Sequence, residues 1–243
     1  MNGFRAVFKR ELKGYFVTPV AYVFLVIFLF FAGYLTFRDG FYEMRQADLR
    51  VFFSNLPLLF VFMVPSVAMR LWSEERKTGS IELLLTLPIT VAQAVWGKFF
   101  AAWVFLAIAL LLTFPMPLTV YYLGSPDTGL ILMGYLGSLL TAGSFLAIGS
   151  FFSALNKNQV IAFILSVVVC AILVYAGMPT TINYLSGLLP GGMLAMVEQV
   201  SFLTHFESVL KGVLEFKDMT YFVILIIGWI WACTIILNEK KAS

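Results

Sequence analysis

Long apolar runs alternate with short polar breaks along almost the entire chain. Six windows, 15–37, 51–69, 92–122, 129–152, 160–178 and 221–237, approach or exceed the roughly 20 residues a membrane-crossing helix needs. The pattern predicts an all-α polytopic membrane protein, a single transmembrane domain over 1–243 with six transmembrane helices. Local signals sharpen the window edges. Thr90-x-x-Gln93, just after Pro88, predicts a capping box that starts the third helix. Trp96 and the pair Tyr121/Tyr122 predict its two interfaces, Pro57 and Pro65 predict bends in the second helix, and Pro115 with Pro117 predicts the end of the third. In the fourth, Gly134, Ser138 and Ala142 recur every four residues as a stripe where another helix can approach closely, either inside the bundle or at a dimer seam.

Three polar or amphipathic segments interrupt this pattern. Residues 70–91 carry six ionised groups, Arg70, Glu74, Glu75, Arg76, Lys77 and Glu82, between two apolar runs. At roughly 2.5–3.5 kcal/mol per charge at mid-bilayer they are excluded from lipid, so the segment must lie in water at a membrane face. Ser73 predicts a helix N-cap, with Glu74 and Glu75 in the first turn, Arg76 and Lys77 near the end, and Gly79 closing it. A second helical piece is expected from Ser80 to the stop at Pro88. Residues 1–14 set Phe4, Val7, Phe8 and Leu12 on one face and Arg5, Lys9, Arg10 and Lys13 on the other, the pattern of an interfacial helix on anionic lipid. Between spans five and six, residues 179–219 predict a short helix over 193–199 and a second one capped by Thr204-x-x-Glu207. Phe206, Val209, Leu210, Val213 and Leu214 form the apolar face of this second helix.

Composition agrees with the windows: 61% of residues are hydrophobic and only 12% charged, half the fraction usual in soluble domains. Eleven of the sixteen Lys and Arg residues fall on one side of a six-span topology. This bias predicts that the N-terminus, the 70–91 segment and the C-terminus are cytoplasmic, and that 179–219 is extracytoplasmic. The first apolar run is too long for a cleaved signal and lacks a small-residue cleavage site. No basic run points to nucleic acid, and Cys170 and Cys233, both in apolar runs, predict no disulfide.

The polar island, the run Pro-Ile-Thr-x-x-Gln-x-x-x-Gly-Lys over 88–98, and the run Ser-Phe-x-x-His-Phe-Glu-Ser-x-x-x-Gly over 201–212 resemble ABC-2-type transporter permeases. Within that family the resemblance is to the gliding-motility-associated branch, and it covers nearly the whole chain. It implies a permease subunit, paired with a second permease as a homodimer or heterodimer and driven by separate ABC ATPase subunits. It further implies an exporter in the bacterial cytoplasmic (inner) membrane. Residues Ser73, Glu74, Glu75, Arg76, Lys77, Thr78 and Gly79 would be the coupling helix that inserts into the ATPase, with Arg5, Lys9, Arg10 and Lys13 beside it. Thr204, His205, Phe206 and Glu207 would belong to helices at the outer mouth.

The chain lacks a phosphate-binding loop: around Gly97-Lys98, Ala92 stands where the first glycine belongs and Phe99 where the hydroxyl belongs. Leu185-Ser-Gly187 is not followed by Gly-Gln, so it is no ATPase signature. ATP and Mg are therefore expected in the partner ATPase, with no catalytic, cofactor or metal residues here. A Ser–His protease using Ser144 or Ser150 is disfavoured because His205, the single histidine, lies outside the windows. A secondary, ion-coupled transporter is the alternative, set back because no ionisable group lies centrally in a window.

Overall fold

The computed structural model describes residues 3–41, 48–81, 88–188, 190–212 and 215–242, and these contain helices and no strand. The helices are α1 (Gly3–Val17), α2 (Pro19–Arg38), α3 (Arg50–Ala68), α4 (Arg70–Thr78), α5 (Val91–Leu111), α6 (Pro115–Leu123), α7 (Thr128–Leu155), α8 (Gln159–Tyr175), α9 (Pro179–Ser186), α10 (Gly191–Val200), α11 (Phe202–Leu210) and α12 (Phe216–Ala242). Five are long and apolar enough to cross a membrane: α2, α3 with α4, α5 with α6, α7, and α12. The sixth predicted window, 160–178, is not one straight span. Its helix α8 has 17 residues, about 25 Å, less than the roughly 30 Å hydrocarbon core. The chain then bends by 74° into α9.

α7 is the central helix. Of its most apolar window 67% is buried, against 28% for α2 and for α12, and α12, α3, α8, α5, α4 and α11 all pack on it. Small residues make that possible. Gly134, Ser138 and Ala142 are all buried within the chain, and a Cβ at Gly134 would lie 2.4 Å from the Phe53 ring. The stripe therefore packs against α3 rather than standing free as a seam. At Gly149 an added Cβ would lie 2.3 Å from the Cβ of Ala68, a close approach of α3 to α7. Replacing Gly149 by leucine must push the two helices apart at a cost of about 3 kcal/mol. The expected result is a Tm lower by several degrees, and an unchanged Tm would refute the close packing.

Local chemistry sets the ends. Thr90 Oγ1 accepts from the Gln93 amide at 3.2 Å and Gln93 Oε1 accepts from the Thr90 amide at 3.3 Å, the predicted capping box. α5 ends at Leu111, before Pro115, which lacks an amide proton and begins α6. The turn between them is tied to α7 by Thr113 Oγ1 and Tyr135 Oη at 2.8 Å. Pro57 and Pro65 lie inside α3, which runs on through both.

Three further boundaries differ from expectation. Ser73 is not an N-cap: α4 begins at Arg70, directly beyond α3, because Leu71 and Trp72 are drawn into the core. Thr204 is not an N-cap either. Ser201 takes that role, accepting from the Leu203 amide at 3.2 Å, so that Phe202, Phe206 and Val209 all point inward. α1 extends past residue 14 to Val17, and its apolar face lies along α5, with Val7 against Gly97. The expected helical piece after Ser80 falls mostly on 82–87, and Val213 and Leu214 fall at 213–214, all outside the described residues.

Candidate functional site

The ends of α1, α4 and α5 meet at a buried lysine. Lys98 stands two turns into α5 with its side chain 3% exposed. Its Nζ donates to the Leu71 carbonyl at 2.9 Å and pairs with Glu75 Oε1 at 2.9 Å and Glu11 Oε1 at 3.3 Å. The ammonium is thus held by one hydrogen bond to a carbonyl and by two ion pairs. The Trp72 ring lies 5.0 Å away as a fourth, cation–π contact. Arg10 Nη2 closes the cluster, 2.7 Å from Glu11 and 3.4 Å from Glu75. Two cations and two carboxylates thus tie three helices together.

Glu11 reports on this arrangement. Burial pushes its carboxyl up, but Lys98 and Arg10 more than reverse that, and the net shift is downward. A lowered folded-state value means the link stabilises the protein above the unfolded carboxylate range, about pH 4.3, and is lost as pH falls through the lower value. Thermal melts should therefore show this contribution intact at neutral pH and fading only in acid below about pH 4. Glu11→Gln should be destabilised at neutral pH and should lose that part of the acid dependence.

A second set of contacts fixes α4 to the end of α7. Ser153 Oγ accepts from the amides of Trp72 at 3.0 Å and Ser73 at 3.1 Å, and donates to the Met69 carbonyl at 2.8 Å. One hydroxyl thereby uses both lone pairs and its proton. Trp72 Nε1 donates to Ser150 Oγ at 3.2 Å, and Arg76 Nη1 to the Ala154 carbonyl at 2.6 Å. Gly79 closes α4 in the left-handed region, φ +73°, where a side chain would be strained.

The seven residues of the predicted coupling segment therefore divide by direction. Ser73 is buried, its hydroxyl bonded to the Met69 carbonyl. Glu75 faces Lys98, and Arg76 reaches α7. Glu74, Lys77, Thr78 and Gly79 are exposed. Of the α1 cations, Arg5, Lys9 and Lys13 are exposed and only Arg10 joins the cluster. Glu11, Trp72 and Ser153 are not singled out by the sequence, and Lys98 and Ser150 are named there only for roles other than this cluster. The available signal was Lys98 itself, a lone cation two turns inside the 92–122 run, too deep for a loop charge.

At the other end of the bundle, Thr204 and Glu207 are exposed while Phe206 is buried. His205 is buried rather than superficial. Its Nδ1 lies 2.7 Å from Asp218 Oδ1, its Nε2 2.9 Å from the Gln199 carbonyl, and its ring stacks on Tyr221 at 3.9 Å. Ser208 donates to the other oxygen of Asp218. This cluster joins α11 to the start of α12, some distance in sequence from Ser144 and Ser150, which hydrogen-bond within the α7–α12 contact.

A bundle of apolar helices with a charged, one-sided helix between its second and third spans suits a transporter membrane domain. The family model for the ABC-2 family transporter protein matches residues 5–237. The chain belongs to the ABC-2 transporter family. The match takes in α2 to α11, most of α12, the α1–α4–α5 cluster and the α11–α12 contact of this ABC-2 protein. Family and helices together make it a multi-pass membrane protein, consistent with an ABC permease. No curated protein is found to match the chain.

Proposed function

We propose that this ABC-2 protein is the permease subunit of an ATP-driven exporter of the gliding-motility-associated type. It works as a pair, with a second copy or a related permease, powered by two separate ABC ATPase subunits that hold ATP and Mg. In this reading α8 and α9 together count as a sixth, broken span, the chain lies in the bacterial inner membrane, and both termini with α4 are cytoplasmic. α1 rests its basic face on anionic lipid, and α10 and α11 flank the outer mouth. The observation that carries the reading is the two-sidedness of α4. One face is fixed to α1, α5 and α7 through Lys98 and Ser153, and the other offers Glu74, Lys77 and Thr78 to a partner. Such a helix transmits a push without bending away from it. ATP closing the ATPase pair would move α4, and with it the helices to which it is fixed, opening a path between the paired bundles.

The tagged chain, purified from its native membrane, should bring down an ABC ATPase. Reversing exposed charges (Glu74→Arg with Lys77→Glu) should reduce that association at least about tenfold, with the amount of inserted protein unchanged. Transport driven by an ion gradient with no ATPase present would overturn the reading in favour of a secondary transporter.

A further inference from the structure

A cavity of about 550 Å³ opens between the α1–α2 elbow and the α3–α4 junction, within the range of small-molecule sites. Its two ends differ in chemistry. Phe24, Ile27 and Phe62 lie at the apolar end, and Glu11, Arg70 and Glu74 at the polar mouth, where Glu11 is already paired with Lys98 and Arg10. Both walls turn polar at the same level, α2 beginning at Pro19 after Thr18 and α3 ending at Ala68 before Arg70. From Thr18 to Ile27 the wall is nine residues deep, roughly 14 Å at helical rise, which is the hydrocarbon depth of one leaflet. Phe62 is 58% exposed and Ile27 39% exposed, so the cavity opens sideways onto an exposed apolar surface. At the mouth, neither Arg70 nor Glu74 has an ion-pair partner among the described residues, although they sit one turn apart on α4.

We propose that this cavity binds one membrane glycerophospholipid with a zwitterionic phosphoethanolamine headgroup. An acyl chain fills the Phe24–Ile27–Phe62 groove, Arg70 binds the phosphate, and Glu74 binds the ammonium. The guanidinium is suited to a phosphate through paired N–H donors, and a primary ammonium offers three protons to the carboxylate. An anionic lipid without an amine would leave Glu74 facing a negative headgroup. The site is formed by α1–α4 of a single chain, and because Glu74 is also the residue offered to the ATPase above, lipid binding is read on the chain without its ATPase.

The test uses the full chain, purified and delipidated in detergent, with native mass spectrometry after addition of palmitoyl-oleoyl phosphatidylethanolamine or phosphatidylglycerol. One phosphatidylethanolamine per chain should be retained, in preference to phosphatidylglycerol. Arg70→Gln should weaken retention of both lipids about tenfold, and Glu74→Gln should weaken phosphatidylethanolamine alone by about the same factor. A third variant fills the cavity without touching the charges. Gly14 lines it, and an added Cβ there meets nothing within 4 Å, so Gly14→Leu should fold normally and lose the bound lipid. Wild-type retention in both Gly14→Leu and Arg70→Gln would mean annular lipid only and would overturn the site. Equal retention of the two lipids, insensitive to Glu74→Gln, would overturn the headgroup assignment.

Discussion

Replacing Lys98 by methionine should produce the largest loss of stability of any single change in the α1–α4–α5 cluster. Methionine keeps the length of the side chain but removes the charge that Glu11 and Glu75 share. The two carboxylates would then face each other in a site where Glu75 Oε2 is already buried without a hydrogen-bond partner. The Leu71 carbonyl would lose its donor as well. Breaking a buried ion pair from one side typically costs 3–5 kcal/mol, here on the order of a 10 °C drop in Tm. The same change with Glu11→Gln and Glu75→Gln added should recover part of the loss, because the one charge then left unpaired, Arg10, is half exposed and solvated. If the single variant melts with the wild type, Lys98 is not the keystone of this cluster.

Ser153→Ala is expected to act on one helix rather than on the whole bundle. Alanine leaves the Trp72 and Ser73 amides without their acceptor and the Met69 carbonyl without one of its donors. Each orphaned buried group costs about 1–3 kcal/mol, so α4 should loosen by about 2–5 kcal/mol relative to α7. Hydrogen exchange at the Trp72 and Ser73 amides reads this directly and should accelerate at least tenfold, about 1.4 kcal/mol or more. Ser150→Ala removes the indole contact and the weak contact with Cys233 Sγ, neither of which involves the backbone of α4, and should leave those two amides nearly as protected as before. Equal protection in all three proteins would mean that α4 is held by its own helical bonds.

Much of the architecture is legible in the sequence because it depends on near neighbours. The hydropathy windows locate five long helices to within a few residues, and the Thr90–Gln93 box is a purely local pair, visible as such. Ser73 and Thr204 show where local reasoning fails. Each has the right chemistry for a cap, but burying Leu71 and Trp72, or Phe202, is worth more than one capping bond, so the helices start earlier. The cap for the α4 amides comes instead from Ser153, eighty residues away, which no local pattern announces. Lys98 was legible as an anomaly but not as a hub, since Glu11 and Glu75 reach it from two other helices. His205 and Asp218 are thirteen residues apart and meet only because α11 folds back onto α12. Window 160–178 finds the segment but not its shape, because hydropathy averages over residues and is blind to the 74° bend after Tyr175.

The central helix has a mechanical consequence. Near one end of α7, Ser153 grips α4; near the other, Val209 of α11 is wedged over Gly137 and the backbone of Gly212 rests on Leu130. These two fixtures are 23 residues apart, roughly 34 Å of stiff helix. A tilt of about 5° pivoting at Ser153 would swing the Leu130 end by about 3 Å, more than the width of a hydrogen bond's tolerance. If α7 moves as one rigid rod, a small rotation at the α4 end would become a displacement large enough to dislodge α11 at the other.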